Sequence, residues 1–266
     1  MRADVRLRIL TISILIVCCC FTAVYAQRGF MPFDDDSNPP PVPVNPTEKT
    51  EWAFARLIYP SESFFGQGAY WTIDSPAADR HFSMGVRRLT RIHTRSKEEF
   101  VSLDGDELFK WPWIYAVETG HWSLSDNDCK KLREYLLRGG FLMTDDFHGE
   151  EEWSVFMASM TRVFPDRPVV EIPNNDPIFH ILYDLDERVQ VPGIVNYPFH
   201  KTSEYGGIVP HWRAIYDDKG RIMVAMCFNQ DNGDAWEWAD SPYYPEKFTS
   251  QAYRTGINYI IYSMTH

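Results

Sequence analysis

Downstream of residue 50, apolar positions recur at two spacings, and the alternation between them predicts the elements. Trp52-Ala-Phe-Ala-Arg-Leu-Ile-Tyr59 mixes alternation with an apolar end and stops at Pro60, which predicts a first strand. Ser75-Pro76 opens a predicted helix running to about Arg91. Ser75 is its expected N-cap, Pro76 fits the first turn, and Phe82, Val86 and Leu89 recur at four- and three-residue steps. Trp113-Ile-Tyr-Ala-Val117 is a short continuous apolar run of the kind covered on both faces. Ser125 then caps a helix with Cys129, Leu132 and Leu136 on one face, Asp126 and Asp128 at its positive end, and Gly139-Gly140 terminating it. Phe141-Leu-Met-Thr144 follows as a second buried strand. A strand–helix–strand unit of this length predicts parallel strands joined by a right-handed crossover.

Glu150-Glu151-Glu152 favours the start of another helix, with Trp153, Phe156, Met157 and Met160 as its apolar stripe until Pro165. Pro177 is expected to open a short helix through Leu182. Trp212–Tyr216 and Arg221–Phe228, flanking Asp217-Asp-Lys-Gly220, predict a hairpin, and Ile257, Ile260, Ile261 and Met264 mark a final helix near 249–263. Strands alternating with helices predict an α/β fold with a mainly parallel sheet and helices on both faces.

The first fifty residues are different in kind. Arg2, Arg6 and Arg8 precede an apolar run from Ile9 to Val24, and Val24-Tyr25-Ala26 places small residues as a cleavage site requires. Residues 1–26 therefore read as a signal peptide. The competing reading, a transmembrane anchor, needs about twenty apolar residues and a basic cluster after them, and the run falls short on both. A lipid anchor on Cys18, Cys19 or Cys20 is a further alternative, disfavoured by Val17 where a small residue is wanted. Residues 27–50 hold Asp34-Asp35-Asp36 and a proline-dense stretch from Asn38 to Pro46, which predicts an extended tether. One folded domain over 51–266 follows, expected in the periplasm or secreted.

The formal net charge is −11, and removing the leader makes the chain more acidic still. Phosphate backbones and anionic lipids call for clustered Lys and Arg, so nucleic acid and anionic membrane surfaces are not expected partners, and no later stretch is apolar enough to span a bilayer. Of the five cysteines, Cys129 and Cys227 remain after cleavage; an oxidising compartment allows them to pair, and their apolar settings equally suit buried thiols.

Ligands in such sheets collect at the carboxyl ends of the strands. Glu118 ends the first buried strand and Asp145-Asp146 the second, with His121 and His148 just beyond. With strands about 4.8 Å apart, these five side chains are expected to share one rim, able to do acid–base work or to coordinate a divalent metal. The alternative is that the Asp pair caps the following helix. No cofactor is called for by any motif. His81, His93, His180, His200, His211 and His266 show no metal-ligand spacing, and Gly66-Gln-Gly68 lacks a dinucleotide-binding continuation. The stretch 229–240 places Asp231, Asp234, Glu237 and Asp240 beside Trp236 and Trp238 after a strand. Such a loop stacks sugars or holds a cation, or is an acidic loop pinned by buried Trp rings.

Several of these residues carry a resemblance. Arg56-Leu-x-Tyr59, Trp71-x-x-Asp74-x-Pro76-x-x-Asp79, Leu132-Arg-Glu-Tyr-Leu-x-x-Gly139-Gly-Phe-Leu-x-x-Asp145-Asp146, Asp176-Pro-Ile-Phe179 and Asn258-Tyr-Ile-Ile-Tyr resemble the bacterial domain of unknown function 4159 family over about residues 51–264. That family looks like a branch of the class I glutamine amidotransferase-like superfamily, related to ThuA-like trehalose-utilisation proteins. The resemblance implies a flavodoxin-like three-layer sandwich and no established activity. Amidotransferases place a nucleophilic Cys after the Gly-Gly strand, where this chain has Thr144-Asp145-Asp146; a carboxylate cannot form a glutamyl thioester, so glutaminase activity is not expected. Three functions remain: a non-catalytic binding or scaffold domain of the cell envelope taking a glycan or small polar ligand, a carbohydrate hydrolase or lyase using Asp145 or Asp146 as base with His148 or His121 assisting, or a structural partner of other envelope proteins.

Overall fold

Continuous apolar runs between helical stretches produce strands buried on both faces, and that is how the chain is arranged in its computed structural model, which describes residues 45–61 and 69–266. The signal peptide, the cysteines at 18–20, most of the tether and Gly66–Gly68 lie outside the described residues. Seven strands form one sheet: β1 (Ala55–Ile58), β2 (Glu99–Ser102), β3 (Trp113–Val117), β4 (Phe141–Asp145), β5 (Val170–Glu171), β6 (His211–Tyr216) and β7 (Ile222–Phe228), in the order β2-β1-β3-β4-β7-β6-β5. The first five in that order run parallel; β6 is antiparallel to β7, and β5 to β6. The helices are α1 (Ala77–Leu89), α2 (Asp126–Leu137), α3 (Gly149–Val163), α4 (Asn232–Glu237) and α5 (Glu246–Thr265).

Alternation along the strands divides the core into two layers. Ala55, Leu57, Ile114, Ala116, Leu142 and Met226 face Leu132 and Leu136 of α2 and Phe156, Met160 and Val163 of α3, all buried. On the opposite face Phe54 meets Phe82 of α1 and Trp236 of α4, and Phe141 meets Tyr259 of α5. The result is an α/β, flavodoxin-like three-layer sandwich with a mainly parallel sheet. The predicted unit at 112–146 is present: β3 and β4 pair in register from Trp113–Phe141 to Val117–Asp145. Ser125 caps α2 through a capping box with Asp128, each side chain accepting from the other's backbone N–H.

Three expectations are corrected. Pro76, not Ser75, occupies the N-cap position of α1, and the Ser75 hydroxyl instead reaches Asp79 Oδ2 at 3.2 Å. The helix expected from Pro177 to Leu182 is a single 3-10 turn, Pro177–Phe179. The loop expected over 229–240 contains α4, whose six residues are too few to show a helical period. Of the two alternatives left open for Cys129 and Cys227, the structure has the second: both are free buried thiols. Cys129 belongs to the α2 and α3 side of the sheet, whereas Cys227 alternates with Met226 and Phe228 and therefore points to the other face, so they cannot pair.

Candidate functional site

Main-chain pairing continues past the strand ends and assembles the rim. The Glu118 N–H donates to the Asp145 carbonyl at 3.0 Å, and the Asp146 N–H to the Gln230 carbonyl at 3.0 Å, so the exits of β3, β4 and β7 stand side by side. The Tyr59 hydroxyl pins the first exit by donating to the carbonyls of Val117 and Glu118. Here the backbone is contorted: Asp74, Glu118, Asp146 and Asn229 have φ between 53° and 60°, in the left-handed region. Asp and Asn tolerate that region; Glu does so less readily, and such strain gathers at functional sites.

The five rim residues expected from the sequence are brought together, in separate roles. Asp145 is fully buried and structural. Its Oδ1 accepts from Asn232 Nδ2 at 2.7 Å, and its Oδ2 from the Gly233 N–H and the Tyr115 hydroxyl, both at 3.0 Å. It thereby holds the start of α4, not that of α3 as the capping alternative proposed. Burial pushes its carboxyl up to about 7, with the three donors pulling the other way. Asp146 instead meets His148 Nε2 at 3.0 Å through Oδ1. His148 is 2% exposed, and burial holds its imidazole down to about 4. His121 Nε2 lies between Glu118 (3.4 Å) and Glu152 (3.5 Å), with the Tyr70 ring stacked on it at 3.9 Å.

Three further carboxylates join them that the rim reading did not include. Asp74 enters from the segment before α1 and comes close to Asp146 and Asp231, one ligand oxygen from each of the three lying within 4.8 Å of the others. Glu152, in the first turn of α3, accepts from the His148 N–H at 2.6 Å. Glu204 converges with Asp231 and Asp234 on Gly193, where a Cβ would fall 2.5, 2.9 and 3.3 Å from their respective oxygens. A side chain at this position would have to displace these carboxylates.

The residues expected as a second ligand loop divide. Asp231 is the N-cap of α4, accepting from the Asp234 N–H at 2.9 Å, and Asp234 accepts from the Ile194 N–H at 2.6 Å. Both are buried and face the acidic cluster; Glu237 lies close to Asp74 and Asp234. Trp236 is a correction: it is fully buried and stacked on Phe82 at 4.2 Å, so its ring belongs to the core and cannot stack a sugar. Trp238 is only partly exposed.

Asp74, Glu118, Asp146, Asp231 and Asp234 are all held above the ordinary carboxylate range, burial being the largest cause in each. Neighbouring carboxylates add to the rise in the first four. No Lys or Arg forms an ion pair with any of them among the described residues. A carboxyl raised in the folded state stabilises fully below its unfolded pKa, about 4, and loses that contribution as pH rises through its folded value. With chelator present, the melting temperature is therefore expected to rise as pH falls from about 8 to about 5. A steady fall over that range in thermal denaturation would contradict the crowding.

The fold and this rim define an α/β domain of flavodoxin-like architecture with an acidic strand-end site. The chain belongs to the domain of unknown function 4159 family (DUF4159), whose profile matches residues 53–264. No curated protein matches the chain.

Proposed function

We propose that this chain is an exported binding domain of the cell envelope whose strand-end rim takes a small, donor-rich polar ligand of the glycan type. The observation that carries the reading is the convergence of Asp74, Glu118, Asp146, Glu152, Asp231 and Asp234, none of them ion-paired to a Lys or Arg among the described residues. Ionised carboxylates only accept hydrogen bonds, so such a rim favours hydroxyl- or amine-bearing ligands and repels phosphates and carboxylates. A cleft of about 350 Å³ adjoins it, shares Gly149 and Asn229 with the β4 and β7 exits, and is walled by Trp153, Phe228 and Arg213. Arg213 stands 4.4 Å over the Trp153 ring, giving the aromatic-plus-polar wall that sugars use. The basic, apolar leader and the proline-dense tether support export to the periplasm or beyond. No helix among the described residues is long and apolar enough to cross a membrane.

The amidotransferase-like ancestry suggested by the Gly-Gly-Phe-Leu…Asp-Asp block fits a site that has lost its thiol chemistry. Burial pushes the thiols of both Cys129 and Cys227 up, which suits core residues and not nucleophiles. A second reading, a carbohydrate hydrolase or lyase, is favoured by His121 between Glu118 and Glu152 and by the His148–Asp146 pair. Asp145 drops out as its base, because its oxygens are already engaged by three donors. Calorimetry against neutral sugars, amino sugars and sugar phosphates tests the binding reading. Neutral or amino sugars are expected to bind, Glu118→Gln to weaken them about tenfold, and sugar phosphates to fail. Preferential binding of the phosphates overturns it; turnover of a bound sugar, lost in Glu118→Gln, replaces it with the enzymatic reading.

A further inference from the structure

We propose that Asp74, Asp146 and Asp231 hold one hard divalent cation, of the Mg²⁺, Mn²⁺ or Ca²⁺ class, at the base of the rim. The inference rests on the reading of the rim as a ligand site and names a component of it. The three residues come from three separate places in the chain: the segment before α1, the exit of β4, and the N-cap of α4. Each offers an oxygen within 4.8 Å of the other two. That separation is about twice a cation–oxygen distance of 2.0–2.6 Å, so a single ion can touch all three. The donors are all oxygen, with neither thiolate nor imidazole among them, which selects a hard ion over Zn²⁺ or Cu²⁺.

Clustered acids alone make no site, and two other features point to a ligand here. Asp74 Oδ2 is sealed from solvent and has no hydrogen-bond partner. A buried oxygen without a donor is costly to leave unmet, and a cation is one partner that meets it. The backbone keeps the space beside it narrow: a Cβ on Gly233 would sit 2.1 Å from that oxygen. Next, the His148 side chain is 3% exposed and faces Asp146 Oδ1 at 3.0 Å with Nε2. When Asp146 is ionised, the Nε2–H donates to that oxygen and orients the carboxylate, the outer contact that metal-ligating carboxylates characteristically receive. The His148 backbone N–H donates to Glu152, so the main chain that carries the imidazole is tied to the first turn of α3.

Asp74 is also positioned from behind. Arg56 Nη1 donates to the carbonyls of Trp71 (3.1 Å) and Ile73 (2.9 Å), so the chain leading into Asp74 is tied to β1. A cation would relieve the mutual repulsion of carboxylates with no basic side chain paired to them, and would leave open coordination positions for ligand hydroxyls.

The test is isothermal calorimetry and thermal denaturation of the purified full chain after chelation, titrated separately with MgCl2, MnCl2, CaCl2 and ZnCl2. At least one of the first three is expected to bind and to raise the melting temperature by several degrees. Asp74→Asn and Asp231→Asn are expected to weaken binding about tenfold or more, since affinity in oxygen sites follows ligand charge. Asp146→Asn serves as a third variant should either of those fail to fold. Absence of any shift in the parent protein overturns the proposal, as does binding that all three variants retain. A response to Zn²⁺ alone that His121→Ala abolishes moves the metal to the Glu118–His121–Glu152 group and also overturns it. The sugar titrations are repeated in chelator: sugar binding that persists while every metal fails removes the cation and leaves the binding domain standing, whereas metal binding without any sugar response does the reverse.

Discussion

Arg56→Met is expected to lower the stability of the domain by about 3–5 kcal/mol, a large part of the 5–15 kcal/mol that holds a typical domain folded. Arg56 and Asp79 are both wholly buried and ion-paired. Nε contacts both Asp79 oxygens at 3.1 and 3.0 Å, Nη1 takes the two carbonyls before Asp74, and the guanidinium lies 5.2 Å from the Tyr115 ring centre. Methionine fills much of the volume but leaves the Asp79 carboxylate buried without its partner and two carbonyls without donors, which is the costly way to break such a pair. Arg56→Lys restores a charge without the fork and should recover only part of the loss. Urea denaturation measures both. A loss below about 1 kcal/mol for Arg56→Met would show that the pair contributes little.

Two adjacent carboxylates are expected to respond in opposite directions. Asp145→Asn turns an amide NH₂ toward the Gly233 N–H or the Asn232 amide, setting donor against donor in a fully buried place, at a cost of about 1–3 kcal/mol for each donor left unmet. Asp146→Asn removes a charge from a crowded cluster, retains a polar partner for His148, and suits φ of 53°, so in chelator its stability is expected to be unchanged or higher. Equal losses for the two, by thermal or urea denaturation, would mean that both are structural and that the rim is not organised around Asp146.

The layered core was legible because its signals are local. Trp113–Val117 and Phe141–Met143 are apolar without interruption, Ser125 and Asp128 stand at capping-box spacing, and Gly139-Gly140 ends α2. From these alone the juxtaposition of Glu118 with Asp145 and Asp146 followed, and the Glu118–Asp145 main-chain bond realises it. The edge was less readable. β2 is four residues with Phe100 exposed, and β5 is two residues, so neither shows a period. Trp236 and Trp238 look equivalent in sequence, yet α4 turns the first into the aromatic core. Asp74 and Glu204 reach the site only through tertiary structure, Asp74 by way of Arg56 and Glu204 by way of the space left at Gly193. The sole sign of Asp74 was its place in Trp71-x-x-Asp74-x-Pro76, and its role could not be inferred before the sheet had set β1 and β4 on either side of β3.

Crystals of the full chain grown with MnCl2 and measured at the manganese absorption edge bring the cation into view or leave it out. One anomalous peak is predicted within about 2.0–2.6 Å of an oxygen from each of Asp74, Asp146 and Asp231. An empty map among those three residues, or density confined to Glu118, His121 and Glu152, would contradict it.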